Sequence, residues 1–342
     1  MCEKSTTFPM SDANKPWIEK YRPRTIDDVA AQEHTTRVLK KQLGNANLPH
    51  MLFYGPPGTG KTSTILALSR QLFGHELVKS RVLELNASDE RGISVVRDKI
   101  KNFAKQAPKA STSASIPAYK IIILDEADSM TQDAQSALRR TMETYSKSTR
   151  FCLVCNYVTR IIEPVASRCS KFRFKPLDEV DTRARLEHIA REEHIEYEDG
   201  VIDNLISTTH GDLRQAITFL QSATRLHQAT NTKITPDTIT EIAGTIPQNV
   251  IDSILSVCSN RKNFKEVQTT LKQVHLSGYA SAQVLAQLHD KIIESASISD
   301  TSKAKSVLAI AEADKALTDG ADDELQLLNL AMRLQMALNG VA

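Results

Sequence analysis

The sequence predicts an α/β domain built on a parallel, doubly wound sheet, followed by segments that are entirely helical. Three observations support this prediction. Strand-like and helix-like segments alternate up to residue 176, which is typical of a parallel sheet with crossover helices. Residues 121–124 are apolar without alternation, as expected for a strand that is buried on both faces. After residue 176 the strand patterns end and helical periodicity continues to residue 339.

Length and composition limit the possible classes of protein. The chain has 342 residues, of which 41% are hydrophobic and 25% are charged, and single domains usually contain about 100–200 residues, so two or three domains are expected. The net charge is only +2, so any nucleic-acid surface must be a local patch. No apolar run reaches the ~18 residues of a membrane span, and no secretory signal is present. Five cysteines, an odd number, suggest reduced thiols in a cytosolic or nuclear protein.

The first 50 residues give weaker signals. Residues 1–14 are polar and are expected to be a disordered tail. Residues 16–23 are bounded by prolines and contain the only tryptophan; we expect an extended segment that lies on a surface rather than in a core. Residues 25–29 resemble the start of a helix, and residues 35–43 continue as a helix.

A phosphate-binding loop follows the short apolar strand expected at residues 51–54. The sequence from residue 55 matches the pattern G-x-x-x-x-G-K-[ST], and a helical pattern comes after it. The residues of the loop are Gly55, Pro56, Pro57, Gly58, Thr59, Gly60, Lys61 and Thr62, and Ser63 follows them. In such a loop the backbone N–H groups and the helix N-terminus point at phosphate. Lys61 is expected to reach the β- and γ-phosphates of a nucleoside triphosphate, and Thr62 to hold Mg²⁺.

Polar residues end the later strands of the predicted sheet. Asp125 and Glu126 follow the apolar strand, at the edge where ligands bind in open α/β sheets. Asp125 is predicted to hold Mg²⁺ opposite Thr62, and Glu126 to polarise an attacking water as a general base. Asn156 ends the next strand, at residues 150–156, and either orients the water, contacts the γ-phosphate or is simply a turn residue.

Two further patterns have structural and functional interpretations. Cys152 and Cys155 form a C-x-x-C, but residues three apart on a strand point to opposite faces, so we expect two buried hydrophobic side chains and no metal or redox pair. Arg97, Lys101 and Lys105 share one face of a predicted helix, and from the spacing alone this is a solvated face or a contact to DNA. Residues 108–118 are of low complexity and predict a surface loop.

The helical part divides near residue 245. Helices are predicted at 181–193, 200–208, 213–226 and 236–243, and then at 248–259, 262–276, 281–297, 301–318 and 323–339. Arg214 lies in the first turn of one helix, where a positive charge is unfavourable against the helix dipole, which suggests a partner such as phosphate. The expected domains are 15–176, 177–245 and 246–342, the last being an association domain.

The motifs together resemble those of AAA+ ATPases of the clamp-loader branch. The P-loop, the four residues from Asp125, Asn156, Ser-Arg-Cys at 167–169 and Gly-Asp-Leu-Arg at 211–214 occur in the order seen in that group. Residues 17–23 and 83–89, with the Ser-Arg-Cys triplet, resemble small subunits of replication factor C. The resemblance covers nearly the whole chain. It implies an AAA+ ATPase domain, a small helical lid and an all-α collar domain.

This resemblance also implies roles for individual residues. Ile18, Arg22 and Ala30 fall where the family encloses adenine and ribose. Asn156 matches sensor 1, and Arg214 matches sensor 2, which reaches the γ-phosphate from the lid. Asn86 falls where related ATPases hold the catalytic Glu in an inactive pose. Arg168 matches the arginine finger, which acts in trans on ATP bound to the neighbouring subunit, and the helix of Arg97, Lys101 and Lys105 matches the helix that follows DNA.

The implied function is that of an ATPase subunit in a heteropentameric clamp loader. ATP and Mg²⁺ would be the cofactors, and the partners would be one large and three other small subunits, the sliding clamp PCNA and the backbone of primer-template DNA, without any membrane. The location would be the nucleus. Three alternatives are a scaffold subunit that does not hydrolyse ATP, a DEAD-box helicase suggested by residues 125–128, and another AAA+ remodeller that assembles with itself.

Overall fold

A computed structural model describes residues 15–29, 32–44, 48–88, 93–106, 117–209, 211–230, 232–259 and 263–339. The tail expected at 1–14, most of the loop expected at 108–118 and the predicted adenine contact Ala30 lie outside the described residues. The chain divides into two compact units, Met1–Ile234 and Thr235–Ala342. The first contains the sheet and the helices up to residue 230, and the second contains only helices in its described part.

The first unit is built on a five-stranded parallel sheet, as predicted. Its strands are β1 (Met51–Tyr54), β2 (Val82–Asn86), β3 (Lys120–Asp125), β4 (Thr149–Cys155) and β5 (Ser170–Arg173). Their spatial order is β2-β3-β4-β1-β5, and each neighbouring pair is parallel. The register places Tyr54 opposite Cys155 and Asn86 opposite Asp125. The carboxyl ends of β1, β3 and β4 therefore meet at one edge, where the predicted site residues lie.

Helices connect and cover these strands. Before β1 lie α1 (Trp17–Lys20) and α2 (Glu33–Gly44); the crossover helices are α3 (Lys61–Arg81), α4 (Ile93–Lys105), α5 (Gln132–Thr144) and α6 (Glu163–Ala166). Three more helices follow β5: α7 (Glu179–Glu192), α8 (Val201–Thr209) and α9 (Leu213–Thr230). Short 3₁₀ turns at Ala127–Ser129 and Val158–Arg160 follow β3 and β4. Because α3 packs in the core on one face of the sheet, and α4 and α5 pack in the core on the other, the sheet is doubly wound.

The two faces of the sheet contribute to separate apolar cores. Successive residues of β4 alternate between them: Leu153 and Cys155 pack in one core, whereas Cys152 and Val154 pack in the other. The predicted opposite orientation of Cys152 and Cys155 is therefore confirmed. Burial raises the pKa of Cys155 to about 12 and that of Cys152 well above its usual value, so both are protonated thiols inside the core.

The predictions for the N-terminal segment were wrong in two respects. The segment expected to be extended contains the one-turn helix α1, and Trp17 is buried with an exposed fraction of 8%. The backbone N–H of Trp17 donates to Gln221 Oε1 of α9 at 3.2 Å, so α1 packs against a helix about 200 residues later in the sequence. Residues 25–29 form turns instead of a helix, because the Asp28 carboxylate accepts the backbone N–H groups of Arg24 and Thr25.

The second unit is helical throughout its described part. Its helices are α10 (Pro236–Ala243), α11 (Gln248–Ser259), α12 (Phe264–Leu276), α13 (Ser281–Glu294), α14 (Asp300–Thr318) and α15 (Asp323–Leu338). Side chains of Thr235, Ser299 and Asp322 accept N–H groups in the first turns of α10, α14 and α15. Among the described residues, no helix is long and apolar enough to cross a membrane.

Candidate functional site

The P-loop connects β1 to α3 and is held in a shape that needs its glycines. Gly58 has φ +72°, in the left-handed region, and a Cβ atom placed there would collide with the carboxylate of Asp212. A Cβ atom on Gly55 would collide with the backbone carbonyl of Phe174. The loop thus lies directly against the segment after β5 and the start of α9, and substitution of either glycine would push these parts away.

Lys61 lies at the centre of the site. Its side chain is almost buried, with an exposed fraction of 7%, and its ammonium donates to Gly55 O at 2.8 Å, Pro56 O at 2.7 Å and Asn156 Oδ1 at 2.9 Å. Burial lowers the pKa of Lys61, and the charge of Arg214 adds to this effect, whereas Asp125 and Asp128 oppose it. The structure therefore brings the predicted residues Lys61 and Asn156 into direct contact.

Thr62 and Asp125 face each other across the carboxyl edge of the sheet. Thr62 Oγ1 donates to Asp125 Oδ2 at 2.8 Å, and Asp125 Oδ1 accepts the N–H of Glu126 at 2.9 Å. A hydroxyl and a carboxylate are hard oxygen ligands of the type that Mg²⁺ takes, usually with several waters and substrate phosphates. The donor set therefore fits the magnesium ion that the sequence predicts.

Glu126 has an exposed side chain directly after β3. Its backbone is in the left-handed region, with φ 51° and ψ 40°, which is uncommon for a residue with a side chain. The conformation is held by Ser129, whose N–H and Oγ both donate to the Glu126 carbonyl at 2.9 and 2.7 Å. Such backbone conformations occur where a local structure fixes a functional side chain.

A cavity of about 330 Å³ lies beside the P-loop within the first unit. Its lining includes Ile18, Arg22, Gly58, Thr59, Gly60, Ser63 and Arg214 from the predicted site. Sequence reasoning did not identify Arg185 of α7 and Ile217 of α9, which also line it. Asp28 and Val29 line it next to the undescribed residue Ala30. Apolar side chains, three arginines and the acidic residues Glu19 and Asp28 thus surround one concave space beside the phosphate loop.

The helix α9 meets the P-loop through Asp212 and Arg214. Asp212 Oδ1 accepts the N–H groups of Arg214 at 2.9 Å and Gln215 at 3.3 Å, so Asp212 caps the helix. The same carboxylate lies against Gly58. Arg214 is exposed and lines the cavity. Arg214 thus lies in the first turn of α9, where its charge is unfavourable against the helix dipole, and at the same time at the edge of the phosphate loop.

The N-terminal segment ties α7 to α3. Arg22 Nε donates to Ser63 Oγ at 3.3 Å, and Arg185 Nη2 donates to the Tyr21 carbonyl at 2.6 Å. Glu193 Oε1 accepts from the Tyr21 hydroxyl and from Lys20 Nζ, both at 2.6 Å. Burial alone would raise the pKa of Glu193, but these two hydrogen bonds outweigh it and the pKa is lowered. Residues on both sides of the cavity are thus connected through one short segment.

Arg168 belongs to a different part of the first unit. It follows α6, and its guanidinium is paired with Glu143 Oε1 of α5 at 2.6 Å and donates to the Pro164 carbonyl at 2.6 Å. None of these three residues lines the cavity. The structure therefore does not bring Arg168 to the site of its own chain.

The predicted basic face lies on α4. Lys105 is exposed and Lys101 is half-buried; for Arg97 the structure describes only the place of its backbone in the helix. The C-terminal end of α4 is held by Lys120, whose Nζ donates to the Phe103 carbonyl at 3.1 Å and lies over the Phe103 ring. Asn86 does not bond to Glu126: its Oδ1 accepts from the N–H and hydroxyl of Ser88.

Sequence reasoning included Asp128 in the four-residue motif from Asp125 but predicted no contact for it. Its Oδ2 accepts the backbone N–H groups of Asn156 and Tyr157, both at 3.1 Å. The only local signal was a further carboxylate close behind the Asp-Glu pair. Its partners are about 30 residues away in sequence, and spacing alone does not reveal them.

Comparisons with known proteins agree with this architecture. Residues 51–177 match the model of the ATPase family associated with various cellular activities (AAA), and residues 246–333 match the replication factor C C-terminal domain. Replication factor C subunit 2 of Schizosaccharomyces pombe is 56% identical over 92% of this chain and 92% of its own. Replication factor C subunit 4 of Homo sapiens is 54% identical over 95% of this chain and 89% of its own.

Among solved structures, the Thermotoga maritima RuvB Holliday junction branch migration motor has a similar fold. Its TM-score is 0.53 at 13% sequence identity, and the match covers 78% of this chain and 91% of that one. At this identity the likeness concerns the fold alone.

Proposed function

The chain belongs to the replication factor C small-subunit family, as an AAA+ ATPase of the clamp loader, and from that premise we propose that it binds and hydrolyses ATP with Mg²⁺ to load the sliding clamp PCNA onto primer-template DNA. The observation that carries this proposal is the convergence of Lys61, Asp125, Glu126 and Asn156 at one edge of the parallel sheet.

The nucleotide is held by the P-loop and the adjoining cavity. Backbone N–H groups of the loop, except at Pro56 and Pro57, which have none, and the start of α3 surround the phosphates, and Lys61 neutralises the β- and γ-phosphates. To do so its ammonium exchanges the carbonyls of Gly55 and Pro56 for phosphate oxygens, and these are the better acceptors because they are charged. Ile18, Arg22 and Ala30 enclose the adenosine. Thr62 and Asp125 hold Mg²⁺, which neutralises charge on the phosphates.

Hydrolysis depends on three side chains at the γ-phosphate. Glu126 accepts the proton of the attacking water, and its exposed carboxylate on a fixed backbone suits that role. Asn156 orients the water or the γ-phosphate from the end of β4. Arg214 adds positive charge from α9, which is already in place beside the cavity.

Arg168 acts on the nucleotide of the neighbouring subunit. Its contacts with Glu143 and Pro164 lie away from the cavity, and to stabilise the transition state at a nucleotide bound to the neighbour it exchanges the Glu143 carboxylate for phosphate oxygens. Turnover would then depend on assembly. The partners in this assembly are one large and three other small subunits, within the nucleus, and the collar at 246–342 holds them together. Residues 15–176 act as the ATPase domain and residues 177–245 as its lid.

Contacts with DNA come from Arg97, Lys101 and Lys105 on α4. They are directed at phosphates and follow the shape of the backbone without reading sequence. Local charge of this kind agrees with a net charge of only +2 for the whole chain.

Substitution of the general base tests the proposed function. Glu126→Gln is introduced into the chain co-expressed with its partner subunits, and nucleotide binding and turnover are measured separately. We expect ATP affinity to be retained and turnover at this site to fall by roughly 10²–10⁴-fold. Unchanged turnover of the complex would mean a scaffold subunit that binds ATP without hydrolysing it. Glu143→Gln is not a suitable control because it contacts Arg168; Glu76→Gln, on the exposed surface of α3, serves instead.

A further inference from the structure

Asp128 connects two loops whose residues Glu126 and Asn156 the proposed function places at the γ-phosphate. Its Oδ2 accepts the backbone N–H of Asn156 and that of Tyr157, each at 3.1 Å. Asp128 belongs to the 3₁₀ turn directly after Glu126, and Asn156 directly follows β4. One carboxylate oxygen therefore links the turn after β3 to the end of β4, beyond the last backbone pair of these strands, Leu124 with Leu153.

The position of Asp128 relative to Glu126 is fixed by the turn itself. Ala127, between them, is buried with an exposed fraction of 1%. The Ser129 N–H and hydroxyl both bond to the Glu126 carbonyl, and the Met130 N–H bonds to the Ala127 carbonyl. The turn is thus closed by hydrogen bonds on each side of Asp128. A displacement of Asp128 would be transmitted to the backbone of Glu126.

The position of Asn156 is fixed from the other direction. Its backbone is bound by Asp128, and its side-chain oxygen accepts from Lys61 Nζ at 2.9 Å. A carboxylate that accepts two backbone N–H groups forms charge-assisted hydrogen bonds, which are stronger than neutral ones. The series from Glu126 through Asp128 and Asn156 to Lys61 is therefore continuous. Gln135 also joins the two loops, through the Met130 and Arg160 carbonyls, but these lie four residues beyond Glu126 and Asn156.

We propose that Asp128 is a positioning residue that sets the separation between the general base Glu126 and the amide of Asn156. This inference rests on the proposed function, because the separation matters only if water attacks a γ-phosphate between these two groups. Asp128 itself does not touch the nucleotide. A misplacement of about 1 Å in such a site reduces the rate by as much as ~10²-fold, whereas binding through the P-loop does not need it.

Three substitutions of Asp128 separate positioning from a general loss of structure. Asp128→Asn keeps an oxygen that can accept both N–H groups, and we expect turnover within about 3-fold of the original. Asp128→Ala removes the acceptor, and kcat should fall about 10- to 100-fold with KM for ATP unchanged. Asp128→Glu keeps the charge and moves the carboxylate by about 1.5 Å, so kcat should fall even though the variant folds.

The measurement is ATP turnover of the assembled complex that contains each variant, with clamp and primer-template DNA. The complex with Glu126→Gln gives the turnover of the other sites, which is subtracted. Thermal unfolding is compared with that of Asp133→Ala, a control at an exposed aspartate in the first turn of α5. If Asp128→Ala fails to fold, Asp128→Glu and Asp128→Asn still decide the question, since only positioning predicts a slow Glu variant beside a fast Asn variant.

A double variant tests whether Asp128 acts through Asn156. If it does, Asp128→Ala combined with Asn156→Ala should be no slower than the slower single variant. The proposal would be overturned if the losses of kcat in the two single variants multiplied in the double variant. It would also be overturned by an unchanged kcat in Asp128→Ala or Asp128→Glu, or by Asp128→Asn being as slow as Asp128→Ala. If Glu126→Gln removes turnover but Asp128→Ala does not slow it, only this inference fails. If Glu126→Gln has no effect, the proposed function fails.

Discussion

Thr62 Oγ1 donates a hydrogen bond of 2.8 Å to Asp125 Oδ2, which joins the first turn of α3 to the end of β3. The other oxygen of Asp125 accepts the N–H of Glu126, so the carboxylate is oriented by two neighbours. Thr62 and Asp125 come from motifs about 60 positions apart in the sequence. Their contact defines the place where the phosphate loop and the acidic pair of the sheet act together.

Removal of the Thr62 hydroxyl should weaken the magnesium-dependent part of nucleotide binding. Thr62→Val keeps the shape of the side chain and removes the oxygen, so we expect ATP affinity in Mg²⁺ to fall by about 10-fold or more while affinity in EDTA stays the same. Titration with a fluorescent ATP analogue measures both. Thr144→Val, at the exposed end of α5, is the matched control. An equal loss with and without Mg²⁺ would exclude Thr62 as a metal ligand.

Loss of the Lys61 ammonium should affect binding of the nucleotide itself. Lys61→Ala removes the charge that we place on the β- and γ-phosphates, and hydrogen bonds of charged groups contribute about 1.5–3 kcal/mol, which corresponds to roughly 10- to 100-fold in affinity. Equilibrium binding of ATP and of AMP distinguishes a phosphate contact, because AMP affinity should change little. Lys79→Ala, at an exposed position near the end of the same helix, is the control. Normal ATP affinity in Lys61→Ala would contradict the assignment.

Replacement of Arg168 should act on a neighbouring subunit. In Arg168→Ala this chain should bind ATP with unchanged affinity, because the arginine and its partner Glu143 lie away from the cavity. Hydrolysis at the neighbour's site should fall by about 10³-fold, the usual minimum for an arginine finger. Single-turnover measurements on the assembled complex test this, with the exposed Lys147→Ala as control. A loss of affinity at this chain's own site would show that the arginine acts in cis.

Charge reversal on α4 should change how DNA stimulation depends on salt. With Arg97, Lys101 and Lys105 all replaced by Glu, DNA affinity should fall, and the slope of log K against log salt should decrease by about 0.9 for each DNA phosphate that the protein no longer neutralises. Stimulation of turnover is measured between low and high salt. The control reverses three exposed lysines of the second unit: Lys272, Lys305 and Lys315. Equal effects of the two triple variants would mean that α4 has a solvated face.

Acid should destabilise the first unit through His50. Its Nδ1 accepts the Phe151 N–H at 3.1 Å, and burial, with the charge of Arg150, lowers its pKa to about 4. An unfolded histidine has a pKa near 6.5, so the unfolded chain binds more protons between these values and stability falls as pH falls from about 6.5 to 4. The loss from this group is up to about 3 kcal/mol.

Urea unfolding tests this prediction. It is monitored by the fluorescence of Trp17, which is the only tryptophan and a buried residue of the first unit. In His50→Gln, which has no titrating group at this position, stability should vary less over the same pH range. The exposed His188→Gln should retain the original dependence. The same pH profile in all three proteins would assign the acid sensitivity to other groups.

Local patterns predicted most of the fold. The strand Met51–Tyr54 and the helix Gln248–Ser259 lie where apolar periodicity placed them, because each buries a face that its own sequence defines. Trp17 was the clearest failure. Its helix α1 packs against α9, which is about 200 residues later, and no local pattern contains that information. The turns around Asp28 were missed because a side chain there competes with the helix for backbone N–H groups.

The sequence predicted the residues of the site better than it predicted the contacts between them. The P-loop and the acidic pair could be placed at one sheet edge, since parallel strands end together. The contact between Lys61 and Asn156 required the order of the strands, and β4 lies beside β1 only in the folded sheet. The left-handed backbone of Glu126 and the bonds of Asp128 depend on distances between loops, which spacing along the chain does not give.

The most direct test of the proposed function is ATP turnover by this chain alone and after co-expression with its partner subunits, each with and without the sliding clamp and primer-template DNA. We expect low turnover by the chain alone and strong stimulation by assembly, clamp and DNA, because Arg168 would complete the site of a neighbour and α4 would contact DNA. High turnover by the chain alone, unchanged by clamp and DNA, would contradict a clamp loader with shared sites and would indicate a remodeller that assembles with itself.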